Sequence, residues 1–222
     1  MTASIVIQEP EGKAQQLFLL YHGVGGFAQS LASLGVQIAQ AFAQSMVVSV
    51  QAADACDLGE GYQWFSVRGI TEDNREQRVA QAMPAFVESI QHWQNRALVN
   101  AASTAVIGFS QGAIMALGST QLQPLHAGRI IAIAGRFAVA PQALHSEATA
   151  HFIHGKDDAV IPYGYTVQDA KRLLALGSDV TADVLPFTGH EINQEIESLV
   201  LKRLQTYLPK RYWDAAQREI GL

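Results

Sequence analysis

The sequence predicts an α/β fold, with a mostly parallel central sheet and helices on both of its faces. Two patterns carry that expectation. Short runs rich in Val, Ile, Leu and Phe recur along the chain, each stopped by Gly, Pro or a polar cluster, and stretches of helical period separate them. Strands alternating with helices imply βαβ crossovers, and unbroken apolar runs mark strands covered on both faces. Composition agrees. Only 16% of residues are charged, against about 25% in an ordinary domain, so much of the chain should lie inside. A length of 222 residues suits a single domain spanning 1–222.

The elements follow in order. Ser4–Gln8 alternates apolar and polar residues, as an edge strand does. Leu17–Tyr21 is the first buried run. Leu31, Leu34, Ile38 and Phe42 then share one helical face, and Met46–Val50 is the next strand. A long helix places Val79, Met83, Phe86, Val87 and Ile90 together, with Asp73 as its expected cap and Glu76 three residues on. Pro84 should kink that helix without ending it. Beyond it come the strand Thr104–Phe109, a helix over Gly112–Leu122, and the strands Arg129–Ala134 and Ala150–His154. A helix over Val167–Leu176, the strand Asp183–Phe187 and a helix over Ile192–Leu208 complete the pattern.

Several function classes are excluded early. A net charge of −5 argues against a nucleic-acid binder. The single cysteine, Cys56, allows no internal disulfide and no cysteine-based metal cluster, and its loop setting marks it as an incidental thiol. No apolar run approaches the roughly 18 residues that span a bilayer, and Met1-Thr2-Ala3-Ser4 lacks the basic and apolar regions of a signal peptide. A cytoplasmic protein without stable membrane association is the expectation. Tyr207, Tyr212 and Trp213 either pack on the sheet edge or form a patch for self-association, so monomer and homodimer both stay open.

In parallel sheets ligands gather beyond the carboxyl ends of the strands, so chemistry is sought just after each apolar run. Gly108-Phe109-Ser110-Gln111-Gly112 follows one strand and opens a helix. A tight strand-to-helix turn holds a serine oxygen clear of the sheet, and the glycines leave room for neighbouring backbone. The helix N-terminus beneath it favours the negative charge that develops in acyl transfer.

A serine nucleophile needs a base, and the base an orienting acid. Of seven histidines, His190 alone follows the last apolar strand in the required chain order. His92, His126 and His145 lie on a polar helix side or in polar connections, and His151 and His154 flank a strand segment. Asp157 and Asp158, adjacent after the penultimate strand, are the candidate acids, and neighbours cannot both face one imidazole. For the oxyanion, the amide of Gln111 follows the nucleophile, and His22-Gly23-Val24-Gly25-Gly26 offers the amide of Val24. The same glycines fit a dinucleotide-binding pattern. That reading wants an acidic residue closing the next strand, where Gln51-Ala52-Ala53 stands instead.

Taken together, these residues resemble the α/β-hydrolase superfamily and, within it, the small carboxylesterase/phospholipase group, over nearly the whole chain. The resemblance rests on the HG-x-G turn at His22 to Gly25 and the G-F-S-Q-G turn at Gly108 to Gly112. It continues in H-G-x-x-D-x-V-I-P from His154 to Pro162 and in Gly189-His190. The run Trp64 to Arg75 and Pro209-Lys210-Arg211-Tyr212 are similar to bacterial esterases of that group. Two positions depart from it: Gly26 and Ser66 stand where the group often has Asp.

The resemblance implies an α/β-hydrolase fold and selects Asp158 as the acid, completing Ser110, His190 and Asp158. It implies a serine carboxylesterase for small to medium acyl esters, working through an acyl-enzyme with no metal or organic cofactor. The alternatives are a thioesterase or lysophospholipase on longer acyl chains and a non-catalytic, hydrolase-like ligand receptor. Only 16 residues, Gly135–Ala150, stand where larger hydrolases insert a lid domain, so an open cleft is expected. Phe27, Trp64, Phe65, Met115, Ile161 and Ile192 adjoin the motifs and are candidates for lining it.

Overall fold

A computed structural model describes residues 4–219. Seven strands form one sheet in the order β1-β3-β2-β6-β7-β8-β9. These are β1 (Ile5–Gln8), β2 (Gln16–Tyr21), β3 (Ser45–Val50), β6 (Thr104–Phe109), β7 (Arg129–Ile133), β8 (Thr149–Gly155) and β9 (Asp179–Leu185). Only the edge strand β1 runs antiparallel, and every other pair is parallel. A two-residue hairpin, β4 (Asp54–Ala55) with β5 (Tyr62–Gln63), lies within the long loop before the second helix.

The apolar runs are buried on both faces because successive side chains point to opposite sides. On β2, Leu17, Leu19 and Tyr21 join a core with Val79, Met83, Phe86 and Ile90 of α2 (Glu72–Ala97). That core also holds Ala113 to Leu117 of α3 (Gln111–Ser119), and Ala170 and Leu173 of α4 (Gly164–Ala175). The alternate residues Phe18 and Leu20 face Leu34 and Ile38 of α1 (Ala32–Ala41). Ile196, Val200 and Leu204 of α5 (Gln194–Thr206) complete that second core.

The crossovers position the site. From β2 the chain steps outward to β3 through α1, then reverses past β2 to β6 through α2. Because such crossovers keep one hand, the reversal sends the two helices to opposite faces. The carboxyl ends of β2 and β6 therefore flank the point where the winding changes direction, and a crevice opens there. Residues 134–148, between β7 and β8, hold no helix or strand. No helix among the described residues is long and apolar enough to cross a membrane.

Several boundaries differ from the sequence reading. The first residue before α2 is Thr71, not Asp73, and its N–H donates to Asn74 Oδ1 at 2.9 Å. Pro84 leaves α2 continuous. Strand β9 begins at Asp179 and stops before Pro186, whose missing N–H suits a strand end. A further amphipathic helix, α6 (Lys210–Glu219), follows. The aromatic group divides. Tyr207 donates to Asp179 Oδ1 and meets His151 edge to face, while Tyr212 and Trp213 are exposed.

His151 is fully buried on β8, with Nδ1 2.8 Å from Thr181 Oγ1. Burial, helped by Arg129 and Arg203 and opposed by Asp179, pushes its pKa down to about 3. The unfolded chain takes up this proton below about pH 6.5 and the folded chain does not, so stability present at neutral pH is lost as pH falls from about 6.5 towards 3. The slope reaches about 1.4 kcal/mol per pH unit. Urea midpoints should fall between pH 7 and pH 5, and less steeply in His151→Gln. Parallel profiles in the two proteins would remove His151 from this account.

Candidate active site

The site begins with a backbone that few residues adopt. Ser110, between β6 and α3, has φ 53° and ψ −115°, a strained conformation for a residue with a Cβ. Its N–H donates to Ile133 O at 2.9 Å, and its carbonyl accepts from Ile114 N–H at 3.0 Å. The glycines of the motif are required by contact. A Cβ on Gly112 would stand 2.1 Å from Tyr21 O, and one on Gly108 would stand 2.4 Å from the backbone of Gly112.

His190 lies in the turn between β9 and α5. Its Nε2 is 2.9 Å from Ser110 Oγ, and its Nδ1 is 2.7 Å from Asp158 Oδ2. The loops bearing the two partners are tied together, since Lys156 N–H donates to Leu185 O and Asp157 N–H to Thr188 O. Asp158 is buried and Asp157 exposed, which resolves the choice between adjacent carboxylates. Asp158 Oδ1 accepts from Val160 N–H at 2.8 Å and Ile161 N–H at 2.9 Å. Burial pushes this carboxyl up, but His190 and those two amides outweigh it and hold the pKa below the usual value. Asp158 is thus ionised at neutral pH.

A second histidine, missed in the sequence, completes this corner. His154 Nε2 lies 2.7 Å from Ile161 O and 3.1 Å from Asp158 Oδ2, and its Nδ1 lies 2.8 Å from Thr166 Oγ1. Burial lowers its pKa against the pull of Ile161 O and Asp158, so the ring is neutral at neutral pH. Its one signal was the spacing, four residues before Asp158 in H-G-x-x-D.

Gly23 to Gly26 form a turn facing Ser110. Gly25 N–H donates to Tyr62 O, Gly26 N–H to Gly23 O, and Tyr62 N–H to Gly26 O. Neither the amide of Val24 nor that of Gln111 donates to an acceptor among the described residues. His22 is structural: Nδ1 lies 2.7 Å from Gly23 O, and Nε2 accepts from Ala52 N–H at 3.2 Å. Both departures from the family pattern lie outside the relay. A Cβ at Gly26 would stand 3.0 Å from Gly23 O and from His22 Nδ1, so a larger residue there presses on the turn. Ser66 Oγ donates to Asp57 Oδ2 and joins loop segments.

Ser110 opens onto a cavity of about 300 Å³, at the small end of the ~300–1,000 Å³ usual for ligand pockets. Val24, Phe65, Gln111 and Ile161 are among the residues that line it. Four candidates do not. Phe27 packs edge-on against Tyr62, and Trp64 turns inward against Tyr21 and Phe86 while donating to His22 O. Met115 is fully buried in the core, and Ile192 packs with the α1/α5 core on the other face of the sheet. Each adjoins a motif in sequence, but its side chain packs elsewhere. The wall is instead completed by Glu72, Arg75, Arg136 and Tyr165. Arg136 lies 3.8 Å over the Tyr165 ring and donates to both oxygens of Glu72. Glu72 and Arg75 fall in the run Trp64 to Arg75, but nothing in the sequence assigned them or Arg136 to the cavity. Among the described residues, no group of three His, Cys, Asp or Glu is arranged to hold a metal ion.

A seven-stranded, mostly parallel sheet carrying a Ser–His–Asp relay at its carboxyl edge defines a serine hydrolase of the α/β-hydrolase fold. The pattern of the phospholipase/carboxylesterase family matches residues 2–208, and the chain belongs to that family. The chain is 43% identical to esterase YpfH of Escherichia coli (strain K12) over 211 residues, covering 95% of this chain and 91% of that one. Among solved structures, esterase PE8 superposes with a TM-score of 0.83 at 28% identity, covering 93% of this chain and 99% of that one. A Bacillus cereus carboxylesterase shares the fold, with a TM-score of 0.74 at 16% identity, covering 90% and 91%.

Gln111 joins this site to its wall through its side chain, where Oε1 accepts from Trp64 N–H and Nε2 donates to Phe65 O, both at 2.7 Å. Gln111→Ala removes the partners of the half-buried Trp64 N–H and the buried Phe65 O, and should cost about 1–3 kcal/mol in urea unfolding. An unchanged midpoint would show that the wall does not depend on this side chain.

Proposed function

We propose that Ser110, His190 and Asp158 form the catalytic triad of a carboxylesterase acting on small to medium acyl esters. The observation that carries the reading is the unbroken relay, 2.9 Å from Ser110 Oγ to His190 Nε2 and 2.7 Å from His190 Nδ1 to Asp158 Oδ2. His190 removes the serine proton as Oγ attacks the ester carbonyl, and ionised Asp158 stabilises the imidazolium. The negative oxygen of the tetrahedral intermediate is held by the amides of Val24 and Gln111, each worth about 3–4 kcal/mol. Collapse of that intermediate breaks the C–O bond, and His190 protonates the departing alkoxide. Water, deprotonated by the same imidazole, then releases the acid from the acyl-serine and restores the hydroxyl.

The modest cavity supports acyl groups of limited length, and the helix-free connection over residues 134–148 supports an uncovered cleft. A fluorophosphonate should label Ser110, and Ser110→Ala should lose labelling together with several orders of magnitude in kcat. Adding His190→Ala to that variant should cost little more, because triad members act as a unit. Near-native turnover by Ser110→Ala refutes the assignment. Across nitrophenyl esters from acetyl to palmitoyl, kcat/KM should peak at short or medium chains, with no jump at the micelle threshold. A palmitoyl optimum would favour a lysophospholipase or thioesterase instead.

A further inference from the structure

We infer that the arginine-bearing wall of the Ser110 cavity is an anion subsite, so that the preferred substrates are esters carrying a free carboxylate. This rests on the esterase reading above and concerns only which esters are chosen. The argument starts from charge. Three charged side chains line the cavity with Ser110: Glu72, Arg75 and Arg136. One carboxylate therefore faces two guanidinium groups, leaving one positive charge in excess, inside a protein whose net charge is −5. The excess is local and runs against the whole.

Glu72 is shared between the two guanidinium groups, with 60% of its side chain exposed. Its Oε1 accepts from Arg75 Nη2 at 3.0 Å and from Arg136 Nη1 at 3.3 Å, and its Oε2 accepts from Arg136 Nη2 at 2.5 Å. Arg136 is held rigidly, with only 7% of its surface exposed, by Tyr165 beneath the guanidinium and by the carbonyl of Phe137. Arg75 is not. Its Nε is cut off from solvent and has no hydrogen-bond partner, a costly condition for a donor on a charged group.

A carboxylate entering the cavity supplies the negative charge that the lining lacks, against the parts of Arg75 and Arg136 that border it. A planar guanidinium favours that anion geometrically, by paired N–H donors. The remaining lining is apolar or neutral, including Val24, Phe65, Ile114 and Ile161. It suits a short carbon spacer between the recognised carboxylate and the scissile ester.

The test compares matched pairs in the full-length enzyme, following acid release by pH-stat. Monomethyl glutarate is set against methyl pentanoate for a carboxylate on the acyl side, and acetoxyacetate against propyl acetate for one on the alcohol side. In at least one pair the charged ester should have a kcat/KM ten-fold or more above its neutral partner, shrinking as NaCl rises. Arg75→Met should lower that charged-to-neutral ratio at least ten-fold while Ser110 still reacts with fluorophosphonate, and Arg75→Lys should restore part of it. Loss of fold alone would depress both members of a pair and leave their ratio in place. Neutral esters turned over as fast as charged ones in both pairs, or a ratio indifferent to Arg75, overturn the subsite and leave the esterase reading standing. No turnover of any ester, with Ser110 unlabelled, overturns both.

Discussion

The site depends on how closely two turns of backbone approach each other. Where β6 passes into α3, the chain doubles back so tightly that Gly112 lies against the carbonyl of Tyr21, at the end of β2. Within that turn Ser110 adopts φ 53°. The contact also brings the β2 turn, with the amide of Val24, to the same rim. The strain is sustained because the bond to Ile133 O, the start of α3 and the sheet beneath all favour the same geometry. Sheet topology sets the location, since β2 and β6 are the neighbours between which the winding reverses.

Around this turn, charge is managed by pairing rather than by exposure. Asp158 is desolvated, yet four groups meet its two oxygens, from Val160, Ile161, His190 and His154. A carboxylate held this way stays ionised and cannot rotate freely, so it presents one oxygen to the imidazole. In the lining of the cavity the balance is reversed, with two guanidinium groups sharing Glu72. Size is a poorer guide than charge here. A larger apolar hollow of about 610 Å³ lies beside α2, lined by Val79, Met83, Leu122 and Phe137, and Ser110 does not border it.

Much of this was legible in the chain because the relevant signals are local. Hydrophobic period separates strands from helices, and G-x-S-x-G needs only its immediate neighbours to form its turn. His190 was identifiable because it directly follows the last strand. The errors share one cause: adjacency in sequence is not adjacency in space. Met115 and Ile192 stand a few residues from Ser110 and His190, yet each is turned into a core, on opposite faces of the sheet. Arg75 and Arg136 are far apart in the chain, and only the packing of α2 against the loop after β7 makes them partners. His154 was set aside as a strand residue because nothing in a strand pattern says which face meets a neighbouring loop.

The sequence by itself determined the sheet, the order of its crossovers' ingredients and which residues to seek at the strand ends, since periodicity and short motifs are read from consecutive residues. Tertiary structure alone decided that a second imidazole meets the inward carboxylate, and what lines the cleft. Those outcomes depend on side-chain direction and on contacts between distant segments, and neither is encoded in any stretch short enough to be recognised without the fold.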